Sequence, residues 1–284
     1  MSKKDTFIID AVRTPIGNFG GSLSTIRTDD LAAHVIKSLI SRHNFDPNEI
    51  DDVIMGCANQ AGEDNRNVAR MALLLAGLPS AVPGETVNRL CASGMSAVIH
   101  AHRAIQSGDG DLFISGGLEH MTRAPWVISK TSKSFGRDAK MYDSSFGWRF
   151  INPKIDEVYG TEGMGQTAEN VAEKYNIDRQ DQDIFAACSQ KKASTAQTNG
   201  RFKAEIIPVA IPQQKAKPIQ FNKDEFIKPQ TSIEGLTKLK PAFKKKGTVT
   251  AGNSSGLNDG AAAMLIASEK GINRHGLKPM TRIV

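Results

Sequence analysis

The chain has 284 residues, of which 39% are hydrophobic and 23% are charged, and its formal net charge at pH 7 is +6. These values are typical of a soluble globular protein with one large domain or two ordinary ones. No apolar run approaches the roughly 20 residues that span a bilayer, and the first residues lack the apolar region and cleavage site of a signal peptide. We therefore expect a cytoplasmic protein that has no membrane partner.

The first 118 residues alternate between strand-like and helix-like stretches. The strand-like stretches read TFIIDAV, IDDVIMGCA, ETVNRL and DLFISGG. The helical stretches between them read TDDLAAHVIKSLISRH, NVARMALLLAGLP and SGMSAVIHAHRAIQSG. Repetition of strand, helix and strand predicts an α/β fold, with a mixed, mostly parallel sheet layered between helices.

The pattern changes near Glu119. The next forty or so residues have little periodicity and many turn formers, so they are too long for an ordinary connection and predict a functional excursion. Two helical stretches follow, and then a proline-rich basic segment. Near the end, the apolar stretch AAAMLIAS predicts a strand that returns to the first sheet. We therefore expect a discontinuous α/β domain of residues 1–118 plus 257–284, carrying an inserted loop domain of residues 119–256.

Positive charge is concentrated between Arg201 and Lys246. This segment contains eleven Lys or Arg residues and four acids, a net charge of +7, so the rest of the chain is close to neutral. Such a segment favours an anion site for a phosphorylated small molecule, and the alternative is a solvated lysine-rich surface. Because the segment carries no nucleic-acid-binding motif, we expect no nucleic-acid partner.

Cysteine spacing excludes a disulfide framework and a zinc site. The three cysteines are Cys57, Cys91 and Cys188, an odd number with no ligand-like spacing, and the six histidines complete no ligand set with them. Cys57 ends an apolar strand and Cys188 lies inside a helical stretch, so we expect both to serve packing.

Cys91 differs from the other two because it lies between a strand and a helix, in the stretch VNRLCASGMSAVIHAHRAI. Free N–H groups and the positive end of the helix dipole favour the reactive thiolate at such a position. Small flanking residues would admit a substrate carbonyl and leave N–H groups available for an oxyanion. In open α/β sheets this junction is the usual ligand crevice. The alternative is a small cysteine packed beneath the sheet.

The stretch around Cys91 resembles the active-site signature of the thiolases, the acyltransferases that make and break 3-ketoacyl-CoA. The resemblance extends over essentially the whole chain, because GMGQTAENVAEKY, LTKLKPAF and GTVTAGNSSGLNDGAAAMLIASE follow in the family's order. The segments GEDNRNVARMALLLAGLP and YDSSFGWRFINP are most similar to the degradative acyltransferase branch, which includes 3-oxoadipyl-CoA thiolases.

The resemblance implies a set of site residues. Cys91 would be the nucleophile that carries the acyl group as a thioester, with its own N–H helping to hold the oxyanion. Ser255 would hydrogen-bond the pantetheine arm of CoA, Ala251 would line the same tunnel, Met164 would lie at the pantetheine pocket, and Lys228 would approach the nucleotide end. CoA is implied as co-substrate, with no metal and no organic cofactor. The family's members are homodimers or homotetramers.

Three positions depart from the family's pattern. Gly163 stands where many members have histidine, Lys228 where arginine is common, and Gly235 where serine is frequent. A lysine can meet a phosphate as a point charge but cannot stack on adenine as a guanidinium can. The CoA contacts away from Ser255 are therefore less defined by the sequence.

The family's acid–base groups are a histidine in a Gly-His-Pro setting, a second cysteine in a glycine-rich setting and an asparagine-bound water. The 284 residues contain no Gly-His-Pro, and their last cysteine, Cys188, lies in a helical stretch. The sequence therefore predicts an N-terminal thiolase half with its loop domain, poorly active by itself. One alternative is a non-catalytic CoA-binding or assembly module that needs a separately encoded C-terminal half. Another is a decarboxylating ketosynthase on a similar fold.

Overall fold

The computed structural model describes residues 4–284. The β-strands in this range are β1 Thr6–Arg13, β2 Gly17–Asn18, β3 Asp52–Gly56, β4 Gly84–Val87, β5 Leu112–His120, β6 Trp126–Ile128, β7 Met141–Asp143, β8 Val209–Ile211, β9 Ile219–Phe221, β10 Asn258–Ser268 and β11 Thr281–Arg282. The α-helices are α1 Thr28–Ser41, α2 Val68–Leu75, α3 Ser93–Ser107, α4 Pro153–Tyr159, α5 Met164–Tyr175, α6 Arg179–Thr198, α7 Ile233–Thr237 and α8 Glu269–His275, and one 3-10 turn spans Pro47–Glu49.

The main sheet has seven described strands in the order β11-β1-β10-β5-β3-β4, with β2 also paired to β10. β5, β3 and β4 are joined in parallel. β10 runs antiparallel to β1, β2 and β5, and β11 runs antiparallel to β1. Strands β1 to β5 therefore all point the same way, and β10 and β11 oppose them. This confirms the predicted α/β class with a mixed, mostly parallel sheet.

Alternating side chains of the central strands feed two hydrophobic cores, one on each face of the sheet. Val53 and Met55 of β3 belong to the core that α1 and α2 cover. Ile54, between them, belongs to the other core with Ala97 and Ala101 of α3. Because successive side chains of a strand point to opposite faces, a continuous apolar strand requires helices on both sides.

The strand between β1 and β5 comes from the far end of the sequence. β10 pairs with both neighbours along most of its length, and Ala263, Leu265 and Ile266 within it are buried. The prediction that AAAMLIAS returns to the first sheet is confirmed.

The chain divides into two compact units. Unit 1 contains the residues through Arg123 together with Lys203–Glu225 and Asn258–Val284, and unit 2 contains Ala124–Phe202 and Phe226–Leu257. The predicted inserted domain contains all of residues 119–256. The two divisions differ chiefly at residues 203–225, which return to unit 1.

Hydrogen-bonded ion pairs explain why this returning stretch belongs to unit 1. The Arg13 guanidinium donates to both carboxylate oxygens of Asp224, at 2.7 and 3.0 Å, and to Glu205 at 2.8 Å. Glu225 accepts a 2.7 Å hydrogen bond from the Ser22 hydroxyl. Three of the four acids of the basic segment are thus engaged with unit 1, a long-range constraint that residue spacing does not reveal.

Unit 2 contains the β6–β7 hairpin and helices α4 to α7. Its helix α6 buries Asp183 and leaves Cys188 exposed, so the prediction that Cys188 packs in the interior is wrong. Cys57 of unit 1 is buried, which confirms its predicted packing role. Across residues 4–284, no helix combines the length and apolarity needed to cross a membrane.

Candidate active site

A hydrogen-bonded turn joins the end of β4 to the residue before Cys91. The Asn88 side chain accepts the Leu90 N–H at 2.9 Å and donates to the Ala58 carbonyl at 3.0 Å. Leu90 has φ +49°, in the left-handed region that a bulky side chain rarely adopts. Such strain is found where the surrounding structure imposes it, often at functional sites.

Ser93 closes the turn on its other side and begins helix α3. Its hydroxyl donates to the Leu90 carbonyl at 2.6 Å and accepts the Arg89 N–H at 2.8 Å. Ser93 is buried, whereas Cys91, two residues before it, is exposed. Among residues 4–284, no acceptor takes a hydrogen bond from the Cys91 N–H. The thiol and its own N–H are therefore both available at the N-terminal end of the helix, as predicted.

The start of α3 lies directly on the backbone of β3. A β-carbon on Gly56 would lie 2.2 Å from the Ser93 carbonyl carbon and 2.3 Å from the Gly94 nitrogen. On the neighbouring strand, a β-carbon on Gly117 would lie 3.3 Å from the Gly94 α-carbon. Only glycine permits this approach, which brings the start of α3 and the Cys91 turn to the carboxyl ends of the parallel strands β3 and β4.

A second polar cluster lies under the loop that follows β3. The ligand atoms of Cys57, Asp64 and Glu119 all lie within 4.8 Å of one another, which is a metal-like arrangement. These atoms already have protein partners, however: the Cys57 thiol donates to the Asn59 carbonyl at 2.8 Å, and Glu119 accepts the Ala58 and Asn59 N–H groups at 2.9 and 3.1 Å. Burial raises the pKa of the Cys57 thiol above its ordinary value and also raises the pKa of Asp64. Cys57 is therefore held as an unreactive thiol, and the cluster shapes the loop.

The predicted CoA residues lie in unit 2. Ala251 and Ser255 are exposed on the loop AGNSSG. The two serines of this loop differ, because Ser254 donates to the Thr250 carbonyl at 2.7 Å, whereas the Ser255 hydroxyl has no partner among residues 4–284. Ser255 is thus available to a ligand, and the role in CoA binding that the resemblance implies stays a prediction.

An aromatic ring, that of Phe226, lies between Lys228 and the same loop. The Lys228 Nζ is 5.2 Å from the centre of the Phe226 ring, and this ring packs so closely on Gly256 that a β-carbon there would lie 2.5 Å from it. Met164 begins helix α5 with an exposed side chain and is not linked to the loop by any of these contacts.

Sequence reasoning missed the residues that shape both loops. The predictive signal for the Cys91 loop was Gly56, a glycine that interrupts an apolar strand. The signal for the AGNSSG loop was a pair of acids, Glu169 and Asp183, at buried helical positions. Neither acid stands out in the sequence, because each helix also carries an exposed acid of the same kind, Glu173 in α5 and Asp181 in α6.

A family model described as the N-terminal domain of thiolase matches residues 6–270 of the chain. Over 287 residues the chain is 53% identical to a beta-ketoadipyl-CoA thiolase of Pseudomonas putida, covering 99% of this chain and 70% of that relative. It is 52% identical over 282 residues to a 3-oxoadipyl-CoA/3-oxo-5,6-dehydrosuberyl-CoA thiolase of Escherichia coli, with the same coverage.

Solved structures of thiolases and of an acetyl-CoA acetyltransferase are also similar to this chain. The crystal structure of the Bacillus anthracis acetyl-CoA acetyltransferase superposes with a TM-score of 0.90 at 37% identity, covering all of this chain and 70% of that one. Human mitochondrial 3-ketoacyl-CoA thiolase in complex with CoA superposes with a TM-score of 0.88 at 36% identity, covering 99% of this chain and 69% of that one.

Proposed function

The chain belongs to the thiolase family of acyltransferases, and we propose that Cys91 is the nucleophile by which it transfers acyl groups between 3-ketoacyl-CoA and CoA. The observation that carries this proposal is the geometry of the Cys91 turn. The thiol is exposed immediately before α3, and its N–H is unused by other described residues. Small neighbours and a helix N-terminus suit both a nucleophilic thiolate and an oxyanion.

In thiolysis, the Cys91 sulfur attacks the 3-keto carbon of the substrate. The bond between C2 and C3 then breaks, the acyl fragment stays on sulfur as a thioester, and the acetyl-CoA fragment leaves as an enolate that takes a proton. The thiol of a second CoA displaces the acyl group, so one 3-ketoacyl-CoA and one CoA give one acyl-CoA and one acetyl-CoA. Condensation is the same sequence in reverse.

CoA is the co-substrate, and four residues of unit 2 are proposed to bind it. The unpartnered Ser255 hydroxyl supports a hydrogen bond to the pantetheine arm, beside exposed Ala251. Exposed Lys228 supports a contact with a phosphate of the nucleotide end as a point charge. The support for Met164 is its exposed position at the start of α5.

We propose 3-oxo dicarboxylyl-CoA thioesters as the substrate class. The support is the identity of just over 50% to relatives named for beta-ketoadipyl-CoA and 3-oxoadipyl-CoA. The test is the loss of 3-ketoacyl-CoA on addition of CoA, with 3-oxoadipyl-CoA and acetoacetyl-CoA compared at equal concentration. Faster turnover of 3-oxoadipyl-CoA supports the assignment, and a preference for acetoacetyl-CoA by about tenfold or more in kcat/KM contradicts it.

The 284 residues contain no Gly-His-Pro motif to protonate the enolate. We therefore propose that this polypeptide by itself turns over about 10²–10⁴-fold more slowly than a thiolase with a positioned acid and base. The second candidate function, a CoA-binding or assembly module completed by a separate C-terminal half, is favoured by the same observation. If this polypeptide turns over as fast as a thiolase that has a positioned acid and base, both proposals are contradicted. If a calorimetric titration shows no CoA binding up to millimolar ligand, the module is contradicted. A homodimer or homotetramer stays a prediction, which light scattering tests.

A further inference from the structure

The loop AGNSSG is held by two buried carboxylates of unit 2. The first is Glu169 of helix α5, only 4% exposed. Its oxygens accept the Thr248 N–H at 3.0 Å and the Val249 N–H at 2.9 Å, and the Thr248 hydroxyl lies 3.4 Å away. Glu169 therefore fixes the backbone that leads into the loop.

The second carboxylate is Asp183 of helix α6, which is fully buried. One of its oxygens accepts from Arg179 Nε at 2.8 Å and the other accepts from Asn253 Nδ2 at 3.0 Å. The guanidinium of Arg179 also donates to the Leu236 and Leu239 carbonyls, at 2.6 and 3.1 Å. Because Arg179 is held from several sides, Asp183 can serve as a fixed acceptor for Asn253.

Asn253 transmits this restraint to the loop itself. Its side-chain oxygen accepts the Thr250 N–H at 2.7 Å, and its amide nitrogen also donates to the Thr248 carbonyl at 3.1 Å. The Thr250 hydroxyl in turn lies 3.2 Å from the N–H of Asn253. These bonds fix the backbone two residues before Ser255, whose own hydroxyl stays exposed and unpaired within the described chain.

A loop of glycine, asparagine and serine has little apolar surface to bury, so packing alone cannot fix its shape. Buried carboxylates are expensive unless they are fully hydrogen-bonded, and here each one has several partners. These hydrogen bonds hold the backbone next to the exposed Ser255 hydroxyl.

We propose that Asp183, acting through Asn253, and Glu169 are positioning residues that set the affinity for CoA by holding the Ser255 hydroxyl where the pantetheine arm meets it. This inference rests on the proposed role of Ser255. Neither carboxylate touches the ligand, and each acts through the loop backbone.

The test is a calorimetric titration of the full chain with CoA, with the melting temperature measured in parallel. We expect Asp183→Asn to weaken CoA binding about tenfold, because it removes the charge that pairs with Arg179 and frees the Asn253 amide to move. Asp181→Asn is the matched control, since Asp181 is an exposed acid two residues earlier on the same helix, and it should leave the affinity within about twofold.

The double variant D183N/S255A distinguishes positioning of Ser255 from a merely structural role of Asp183. If Asp183 acts through Ser255, then D183N should cause no further loss of affinity in an S255A background. Independent, multiplicative losses overturn the inference, as does unchanged CoA affinity in D183N. Should D183N fail to fold, Glu169→Gln is measured in the same two backgrounds with the same expectation.

The outcomes also distinguish this inference from the proposed function. If S255A leaves CoA affinity unchanged, the proposed CoA role of Ser255 fails and the inference fails with it. If S255A weakens binding but D183N and E169Q do not, the inference alone fails.

Discussion

The two loops that carry the proposed chemistry are fixed by different physical means. The Cys91 turn of unit 1 is held by hydrogen bonds to its own neighbours Asn88 and Ser93 and by close backbone contact, with helix α3 lying on Gly56. The AGNSSG loop of unit 2 is set by hydrogen bonds to the buried carboxylates Glu169 and Asp183. The first arrangement leaves the Cys91 N–H unused and ready for an oxyanion. The second fixes the backbone around Ser255 and leaves its hydroxyl for a ligand.

The comparison teaches that each loop spares the group its chemistry needs. In the nucleophile turn, hydrogen bonds use the N–H groups of the residues on either side of Cys91 and spare the Cys91 N–H, which an oxyanion requires. A ligand loop built from small polar residues has little apolar side chain of its own to bury, so internal acceptors must supplement packing. Substitutions that remove one kind of restraint test whether each loop depends on it.

The largest effect is expected for Gly56→Ala. The added methyl group would lie 2.2 Å from the Ser93 carbonyl carbon, so α3 must shift or the sheet must distort. We expect the free energy of unfolding to fall by about 3 kcal/mol, at the upper end of overpacking penalties. Urea unfolding measures the loss of stability. The rate at which iodoacetamide alkylates Cys91 reports whether the turn is displaced. A stable variant with unchanged Cys91 reactivity would show that close packing does not position the nucleophile.

The next largest effect is expected for Glu169→Ala. The substitution leaves the Thr248 and Val249 N–H groups without their acceptor, and Val249 is buried. An unsatisfied buried donor costs about 1–3 kcal/mol, so we expect a loss of about 2 kcal/mol in unfolding free energy. Hydrogen exchange should speed up in residues 247–255 and stay unchanged around Cys91. Equal acceleration in both loops would contradict the separate restraints.

A pH-dependent effect is expected for Glu63→Gln, which removes an ion pair with Arg123 in unit 1. Hydrogen bonds from Arg123, at 2.5 and 2.7 Å, are the main cause that lowers the pKa of Glu63 to about 2, and the Thr28 N–H contributes. A carboxylate whose pKa is lower in the folded state stabilises the fold above its unfolded pKa of about 4.5, and the contribution is lost as the pH falls towards 2.

We therefore expect E63Q to be less stable than wild type by about 2 kcal/mol near neutral pH, with the difference shrinking below about pH 4.5. Urea unfolding across this pH range measures it, with Glu49→Gln, in the more exposed pair with Arg274, as the matched control. A difference that persists undiminished to about pH 2 is inconsistent with the ion pair.

The smallest effect is expected for Leu90→Gly. Leu90 is 70% exposed and has positive φ, so glycine relieves backbone strain while little buried apolar surface is lost. Because glycine also loses more entropy on folding, we expect a change within about 1 kcal/mol in either direction. A large loss in G56A beside a small change in L90G, both measured by urea unfolding, would separate close packing from backbone strain. A loss as large as that of G56A would mean that the Leu90 side chain has a role of its own.

Much of the fold followed from the sequence because its signals are local. Apolar strands alternate with amphipathic helices through residue 118, and the Cys91 turn is marked by small residues before a helical pattern. The return of residues 203–225 to unit 1 could not be predicted, because it depends on Arg13 meeting Asp224 across 211 positions. The buried role of Asp183 was also hidden, since burial of one acid among several depends on tertiary packing.

The central claim is that Cys91 accepts the acyl group, and intact-mass and peptide mass spectrometry after incubation with acetyl-CoA tests it most directly. Cys188→Ser is the matched control, because Cys188 is the other exposed thiol among the described residues. The account predicts one acetyl group on the Cys91 peptide of wild type and C188S, and none on C91S. Acetylation of Cys188 instead, or of no cysteine at all, would contradict it.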